Sequence, residues 1–327
     1  MSGYLLNVRD LKVHFPVRVG GALIGKYLPL KAVDDISLNL LPGKTLGVVG
    51  ESGCGKSTLG RAILQLLPVT DGSIVWLGQD LSVSDKKALK AVRQNMQIVF
   101  QDPLASLDPR MTVGDIIAEP VRNFHPQFTR REIKGRVKNM MNQVGLLPSM
   151  FNRYPHEVSG GQCQRVGIAR AMILGPKLVV CDEPVSALDV SIRAQIINLL
   201  MGLQRQLNIS MLFISHDLSV VRHISHRVAV LYLGRVMEAA PKKSVYAEPK
   251  HPYTQALMSA VPIPDPDKER AKSRIILQGD LPSPLDPPSG CVFRTRCPKA
   301  TDICAQKVPQ MELAGPEHIV ACHHWRI

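Results

Sequence analysis

The sequence predicts an α/β fold built on a mainly parallel sheet with helices on both faces. Short apolar runs of strand length recur at residues 44–49, 96–100, 178–181 and 211–215. Helix-like segments separate them, and the clearest is Val190–Leu207, where apolar residues return every three or four positions. Strands that alternate with helices in this way usually pair in parallel, because each helix carries the chain back across the sheet.

Length and charge limit the function classes that fit the chain. Its 327 residues, 45% of them hydrophobic, suffice for one large α/β domain and an appendage. The chain has no run of 18 apolar residues and no signal-peptide pattern at its start, so we expect a cytoplasmic location. The net charge of +13 favours anionic partners (nucleotides, a membrane face or nucleic acid) or marks an ordinary basic surface. Scattered basic residues and only 5% aromatic residues argue against nucleic acid.

Two segments depart from the α/β pattern. Residues 101–158 are rich in helix-forming and charged residues without a clear strand, which predicts a helical insert. Proline becomes dense from Pro241 onward, at positions 262, 264, 266, 282, 284, 287 and 288. Because proline disfavours helices and central strands, we expect a loop-rich C-terminal appendage.

A phosphate-binding loop follows the first apolar run. The segment Gly50-Glu51-Ser52-Gly53-Cys54-Gly55-Lys56-Ser57, followed by Thr58, fits the pattern G-x-x-x-x-G-K-[ST]. Its glycines let successive N–H groups point at phosphate oxygens, and the helix that follows presents its positive end to the same anion. We expect Lys56 to reach the β- and γ-phosphates of a nucleotide and the Ser57 hydroxyl to bind Mg²⁺.

Two acidic residues end the third apolar run. The segment Leu178-Val179-Val180-Cys181 leads directly into Asp182 and Glu183. Beside a phosphate-binding loop, Asp182 can hold the Mg²⁺ shell and Glu183 can orient and polarise an attacking water. The chain is therefore predicted to hydrolyse a nucleotide.

Further motifs resemble those of the ABC ATPases. Val158-Ser159-Gly160-Gly161-Gln162 is similar to the signature sequence of that family. Gln101 matches its Q-loop, Ser186-Ala187-Leu188-Asp189 its D-loop, His216 its switch histidine and Phe15 the aromatic residue under adenine. The resemblance implies a P-loop NTPase fold with an ABC nucleotide-binding domain, ATP as the nucleotide and Gln101 as a further Mg²⁺ ligand. It also implies that two ATP molecules lie between two such chains.

The resemblance extends to the ATPases of oligopeptide and dipeptide importers, and most of all to the type lettered F. Residues 154–157, 251–257 and 281–284 and the terminal cysteines carry it. It implies an ATPase domain at 1–260, a C-terminal domain at 261–327, and attachment to the cytoplasmic face of the inner membrane. The implied partners are a second ATPase, two permeases and a periplasmic or lipoprotein solute-binding protein.

Four cysteines, Cys291, Cys297, Cys304 and Cys322, crowd the last 37 residues. In a reducing cytosol such a group suggests metal binding before disulfides, and four thiolates suit either zinc or a [4Fe–4S] cluster. The family resemblance favours the [4Fe–4S] cluster, with zinc or free thiols as alternatives. His323 and His324 are either stand-in ligands or surface residues.

Other functions remain open on the sequence alone. Members of the same sub-family import nickel, glutathione or antimicrobial peptides, and this subunit would not touch the cargo. DNA-repair ATPases share the signature, but they carry long coiled coils between the two motifs, and this segment has no heptad repeat.

Overall fold

Strands and helices alternate through most of the chain. The computed structural model describes residues 3–20, 25–262 and 265–326. Its strands are β1 (Leu6–Val19), β2 (Lys26–Leu40), β3 (Thr45–Val49), β4 (Asp71–Trp76), β5 (Gln79–Asp80), β6 (Met96–Val99), β7 (Leu178–Asp182), β8 (Ser210–Ile214), β9 (Arg227–Tyr232), β10 (Arg235–Pro241), β11 (Glu312–Gly315) and β12 (His318–Val320).

The helices lie mostly after the strands, as in other α/β proteins. They are α1 (Lys56–Ile63), α2 (Lys86–Asn95), α3 (Val113–Phe124), α4 (Arg130–Gln143), α5 (Gly160–Met172), α6 (Val190–Leu207), α7 (Leu218–Ile224), α8 (Lys242–Ala247), α9 (Pro252–Ser259), α10 (Pro266–Ala271) and α11 (Asp302–Gln306), with 3₁₀ turns at Pro148–Asn152 and Pro155–Glu157. Within the described residues, no helix has both the length and the apolar character of a membrane span.

The chain folds as two compact units. The first contains the residues up to Leu40, Thr45–Val83 and the residues from Ser215 onward. The second contains Leu41–Lys44 and Ser84–Ile214. The domain boundary after residue 260 stays a prediction from the sequence.

The first unit contains two groups of strands. One is an antiparallel sheet in the order β2-β1-β4-β5, which the sequence analysis did not predict. In the other, β3 pairs in parallel with β9, β9 pairs antiparallel with β10, and β10 continues to β12 and β11. All five residues of β3 are buried, as expected of a strand in the middle of a covered sheet.

The second unit contains three parallel strands and the helical insert. β7 pairs with β6 on one side and β8 on the other, and Cys181 aligns with Val99 and Phe213. The predicted helical insert is confirmed, since α3 and α4 pack against each other after β6. These helices have 12 and 14 residues, so the insert lacks the long coiled coil of DNA-repair ATPases.

The C-terminal region has more regular structure than the proline content predicts. Helices α9 and α10 both start at a proline, at the first helical position, where the missing N–H costs nothing. Residues 263 and 264 of the proline-rich run lie outside the described residues. The appendage that we expected to be loop-rich contains the short helices α10 and α11 and the short strands β11 and β12, and β12 pairs with β10.

Candidate nucleotide-binding site

The P-loop, defined as residues 50–57, connects β3 to α1 and depends on two glycines. Gly50 and Gly55 have φ angles of +156° and +99°. A Cβ atom on Gly50 would lie 2.2 Å from the carbonyl oxygen of Leu231, and one on Gly55 would lie 2.0 Å from that of Ala32. No other residue fits without moving the backbone. The loop is thus held in one path by the strands around it.

Lys56 is the first residue of α1 and is buried. Its Nζ donates hydrogen bonds to the carbonyl oxygens of Gly50 and Glu51, both at 2.9 Å. The ammonium group thus lies over the curled loop, where it can meet phosphate oxygens. Ser57 and Thr58 occupy the first turn of α1, which contains no acidic side chain, so the positive helix end faces the loop.

The side chain of Cys54, a predicted contact residue of the P-loop, is fully buried. Burial raises the pKa of its thiol, although the nearby Lys56 acts in the opposite direction. The side chain therefore packs as a small apolar group beneath the loop.

Two further predicted residues belong to the same unit as the P-loop. Phe15 lies half-buried in β1, where it pairs with Leu30. His216 is exposed and follows Ser215, whose N–H donates to the carbonyl oxygen of Val48 in β3 at 3.1 Å. The predicted switch histidine thus follows directly after a residue that is bonded to the strand leading into the P-loop.

The acidic pair lies at the end of β7. Asp182 is the last residue of the strand and is 2% exposed, whereas Glu183 is half-buried and has a φ angle of +47°. The N–H of Glu183 donates to Ile214 at 3.1 Å, and its carbonyl oxygen accepts from the Ser186 hydroxyl at 3.0 Å. A left-handed conformation costs about 1–3 kcal/mol at a residue with a side chain, and such residues cluster at functional sites. The predicted catalytic glutamate is therefore a strained residue held by its neighbours.

Gln101 and Asp189 are two further predicted site residues in the second unit. Gln101 is exposed and follows β6, the parallel neighbour of β7, so it and Asp182 lie at the carboxyl ends of adjacent strands. Such strand ends form the usual ligand crevice of open α/β sheets. Asp189 is exposed at the N-cap of α6, without a side-chain capping bond.

The predicted signature, defined here as residues 158–162, opens α5. Ser159 is the N-cap: its hydroxyl accepts from the N–H of Gln162 at 3.4 Å, and the Gln162 side chain accepts from the N–H of Ser159 at 2.9 Å. This is a capping box. Ser159 and Gly160 are exposed, while Gly161 and Gln162 are half-buried. A hydroxyl that accepts this bond can still donate its own proton to an incoming anion.

The four C-terminal cysteines lie near one another but do not form a ligand set. Burial raises the pKa of Cys291 to about 11, the N–H of Phe293 acts against this, and the other three thiols raise it further. In the same way, the N–H of Lys299 points at the sulfur atom of Cys297, and the N–H of His324 points at that of Cys322. However, no three His, Cys, Asp or Glu side chains are arranged to hold a metal ion within residues 3–20, 25–262 and 265–326. The predicted [4Fe–4S] cluster and its zinc alternative are therefore not confirmed.

The candidate stand-in ligands His323 and His324 make hydrogen bonds within the protein. His324 Nε2 lies 2.8 Å from the Thr301 hydroxyl, and His323 Nε2 lies 3.0 Å from the carbonyl oxygen of Lys307. Both rings are half-buried.

Two residues that contact the P-loop were missed by the sequence analysis. The Tyr253 hydroxyl accepts a hydrogen bond from the N–H of Glu51 at 3.0 Å, and Arg296 pairs with the Glu51 carboxylate at 2.8 Å. The His-Pro-Tyr segment that contains Tyr253 was noticed only as a family resemblance. Arg296 stands beside Cys297 and carries no sequence signal of its own.

Comparisons with known families match both parts of the chain. A sequence model of the ABC transporter family matches residues 33–186. A second model, described as "Oligopeptide/dipeptide transporter, C-terminal region", matches residues 237–304.

Close relatives match over nearly the whole length. The oligopeptide transport ATP-binding protein OppF of Salmonella typhimurium is 59% identical over 319 residues, which cover 97% of this chain and 95% of that protein. The oligopeptide transport ATP-binding protein AppF of Bacillus subtilis is 54% identical over 320 residues, 98% and 97% of the two chains.

Solved structures share the fold of the ATP-binding part. A dimeric post-hydrolysis structure of the ATP-binding cassette MJ0796, bound to ADP and Pi, has a TM-score of 0.64 and 25% identity. It covers 72% of this chain and 98% of that one. The cbiO1 protein of Clostridium perfringens, part of the ABC transporter complex cbiONQ, has a TM-score of 0.64 and 28% identity, with coverages of 76% and 92%.

Proposed function

This chain belongs to the ABC transporter ATP-binding proteins of the oligopeptide/dipeptide family, and we propose that it hydrolyses ATP to drive peptide import. The observation that carries the proposal is a P-loop with a buried Lys56 in a chain that also contains the C-terminal region of peptide transporters. Nickel, glutathione and antimicrobial peptides are the alternative cargoes within the same sub-family.

We assign the binding steps to individual predicted residues. Lys56 and the N–H groups of the P-loop bind the β- and γ-phosphates, and Phe15 stacks under the adenine ring. A bound Mg²⁺ would supply positive charge that offsets the charge of the phosphate oxygens. Its proposed ligands are Ser57, Gln101 and Asp182, which offer the hydroxyl, amide and carboxylate oxygens that this ion prefers.

The hydrolytic step is assigned to Glu183, with His216 as the residue that responds to the γ-phosphate. The strained backbone of Glu183 fixes its carboxylate relative to the end of β7, where it can orient a water and accept its proton.

The signature residues Ser159, Gly160, Gly161 and Gln162 act in this proposal on the nucleotide of a second ATPase subunit. Their helix end is exposed at Ser159 and Gly160, and the Ser159 hydroxyl, which accepts the capping bond, can still donate its own proton. The D-loop residue Asp189 is exposed as well and would lie at the same interface.

Two permeases and a solute-binding protein complete the proposed transporter, at the cytoplasmic face of the inner membrane. The helical insert offers a surface for a permease: α3 and α4 border a groove of about 630 Å³ lined by Arg122, Phe128, Lys134 and Phe151. Its mixture of aromatic and basic groups suits a short amphipathic helix. Cross-links from residues 101–124 that reach only soluble proteins would contradict this assignment.

We also propose that the four C-terminal cysteines bind a [4Fe–4S] cluster once their sulfur atoms converge. Their clustering in the last 37 residues supports this, as does the proximity through which the other three thiols raise the pKa of Cys291. Protein purified without oxygen should be brown, with about four irons per chain. One zinc per chain would assign the site to zinc, and a metal-free protein would contradict metal binding altogether.

Uptake by the assembled transporter in proteoliposomes tests the cargo. A labelled tripeptide should accumulate only with internal ATP, and unlabelled peptides should compete with it. Neither nickel nor glutathione should compete. Uptake of either of these, without uptake of peptide, would refute the peptide assignment while leaving the ATPase assignment intact.

A further inference from the structure

We propose that Arg296, together with Tyr253, is a positioning residue for the P-loop and acts through Glu51. The inference rests on ATP binding at the P-loop and gives the C-terminal region a direct part in that binding. All the contacts from which we infer this lie within the first unit.

Glu51 is contacted through each of its three polar groups. Its N–H donates to the Tyr253 hydroxyl at 3.0 Å, and its carbonyl oxygen accepts from Lys56 Nζ at 2.9 Å. Its carboxylate accepts from the Arg296 guanidinium at 2.8 Å. One residue of the loop therefore joins the phosphate-binding lysine to two side chains located more than 200 positions further along the chain.

The ion pair is shielded from water. The Arg296 side chain is 11% exposed and that of Glu51 is 28% exposed. Burial acts to lower the pKa of Arg296, but the bond to Glu51 acts against it and the pKa is raised overall, so the guanidinium stays charged. A charge-assisted bond in such surroundings is worth more than one on an open surface.

A packed aromatic cluster holds both anchoring side chains. The ring centroid of Tyr253 lies 4.8 Å from that of Tyr232 and 5.3 Å from that of Phe293, and all three residues are fully buried. The Arg296 guanidinium lies 6.0 Å from the centre of the Tyr232 ring. Burial also raises the pKa of Tyr253, so its hydroxyl stays neutral and can accept the bond from Glu51.

The turn that carries Arg296 is fixed to this cluster. The N–H of Arg296 donates to the carbonyl oxygen of Phe293 at 3.0 Å, and the N–H of Arg294 donates to that of Cys291 at 3.1 Å. Because Phe293 is locked in the core, the guanidinium three residues later has little freedom. The C-terminal region thus presents a rigid cation to the P-loop.

Loss of the cation should disturb nucleotide binding more than the chemical step. Without Arg296, the Glu51 carboxylate keeps a half-buried charge without its partner, and the loop must shift to bring it to water. The loop holds the phosphates in the ground state and the transition state alike, so KM should rise while kcat changes little. Losing one bond between charged groups corresponds to about tenfold weaker binding.

Titration of the full-length chain with a fluorescent ATP analogue tests the inference, with KM and kcat of the assembled transporter as a second readout. Arg296→Gln should weaken binding about tenfold, and Arg296→Lys should recover most of it because the charge is retained. Arg294→Gln is the matched control: its guanidinium donates to the carbonyl oxygen of Ser289 in the same turn, and binding should stay unchanged.

A double-mutant cycle separates positioning from general damage. If Arg296 acts through Glu51, Arg296→Gln should add nothing in the background of Glu51→Gln. An equal effect in both backgrounds, or unchanged binding in Arg296→Gln, would overturn the inference. Should Arg296→Gln fail to fold, Glu51→Gln with and without Arg296→Lys decides the same question.

Lys56→Ala distinguishes a failure of the P-loop assignment from a failure of the inference about Arg296. Weaker binding in Lys56→Ala with normal binding in Arg296→Gln would refute only this inference. Normal binding in Lys56→Ala would refute the P-loop assignment and this inference with it.

Discussion

The P-loop and the signature are both glycine-rich turns that open a helix, yet they are built differently. Gly55, the N-cap of α1, has a left-handed backbone and no side-chain capping bond, whereas Ser159 caps α5 with its own hydroxyl. The P-loop depends on close approaches and on contacts from Tyr253 and Arg296. A helix end that completes its own cap needs no such support and can be presented to another molecule. The P-loop is thus completed by contacts from its own chain, whereas the end of the signature helix is available to a partner molecule.

The largest expected effect is that of Glu183→Gln on hydrolysis. Removing the proposed general base should lower kcat about a hundredfold to a thousandfold, while ATP binding stays within about twofold. The P-loop and the signature should then both stay bound to ATP. A nucleotide-bound dimer should accumulate and be detected by size-exclusion chromatography. A mutant that fails to bind ATP would show that Glu183 supports the site structurally.

Glycine substitutions test the comparison itself. Gly55→Ala places a Cβ atom 2.0 Å from a backbone oxygen and should weaken ATP binding by more than about thirtyfold. Gly160→Ala in the signature meets nothing within 4 Å and should leave binding by the isolated chain unchanged. Equal losses in the two variants would break the distinction between the turns.

Acid should destabilise the unit that contains the P-loop. Burial lowers the pKa of His251 to about 4 from an ordinary value of 6.5, so the unfolded chain takes up the proton first. Stability is therefore complete above pH 6.5 and falls as the pH decreases to 4, by about 3 kcal/mol at most. Urea unfolding at several pH values measures this loss.

His251→Asn is the matched variant for the acid effect. His251 caps α9 by accepting from the N–H of Tyr253, and asparagine can make a similar bond without titrating. The pH dependence between 6.5 and 4 should flatten in this variant. An unchanged slope would assign the acid sensitivity to other groups.

The smallest effect concerns the cap of the signature helix. Ser159→Ala removes the hydroxyl of the capping box and should cost about 1 kcal/mol of stability. Binding of ATP to the isolated chain should not change, because the proposed ligand of this turn is the nucleotide of a second subunit. Weaker binding by the isolated variant would place Ser159 at its own chain's nucleotide.

Local patterns predicted the parts of the fold that depend on local forces. The helical period places α6 at Val190–Leu207, and the apolar runs match β3, β6, β7 and β8. The antiparallel sheet of β1 and β2 was missed because register shifts interrupt its alternation of buried and exposed residues. The helices after Pro241 were missed because a proline at the first helical position starts a helix as readily as it ends one.

The residues of the candidate site likewise differ in whether local sequence patterns predict them. The residues predicted to bind phosphate follow one another along the chain, so their motif can be recognised without a structure. Arg296 reaches Glu51 across 245 positions through the packing of Phe293, and no spacing rule predicts a contact of that kind. The four cysteines illustrate the reverse: their clustering in sequence is real, but their side chains do not form a ligand set.

Phosphate release by the assembled transporter tests the central claim most directly. In proteoliposomes, peptide on the binding-protein side should stimulate ATP hydrolysis by the wild-type transporter. Lys56→Ala in this subunit alone should abolish that stimulation, because the P-loop can no longer hold the phosphates. Stimulated hydrolysis at the wild-type rate in the Lys56→Ala transporter would contradict the account.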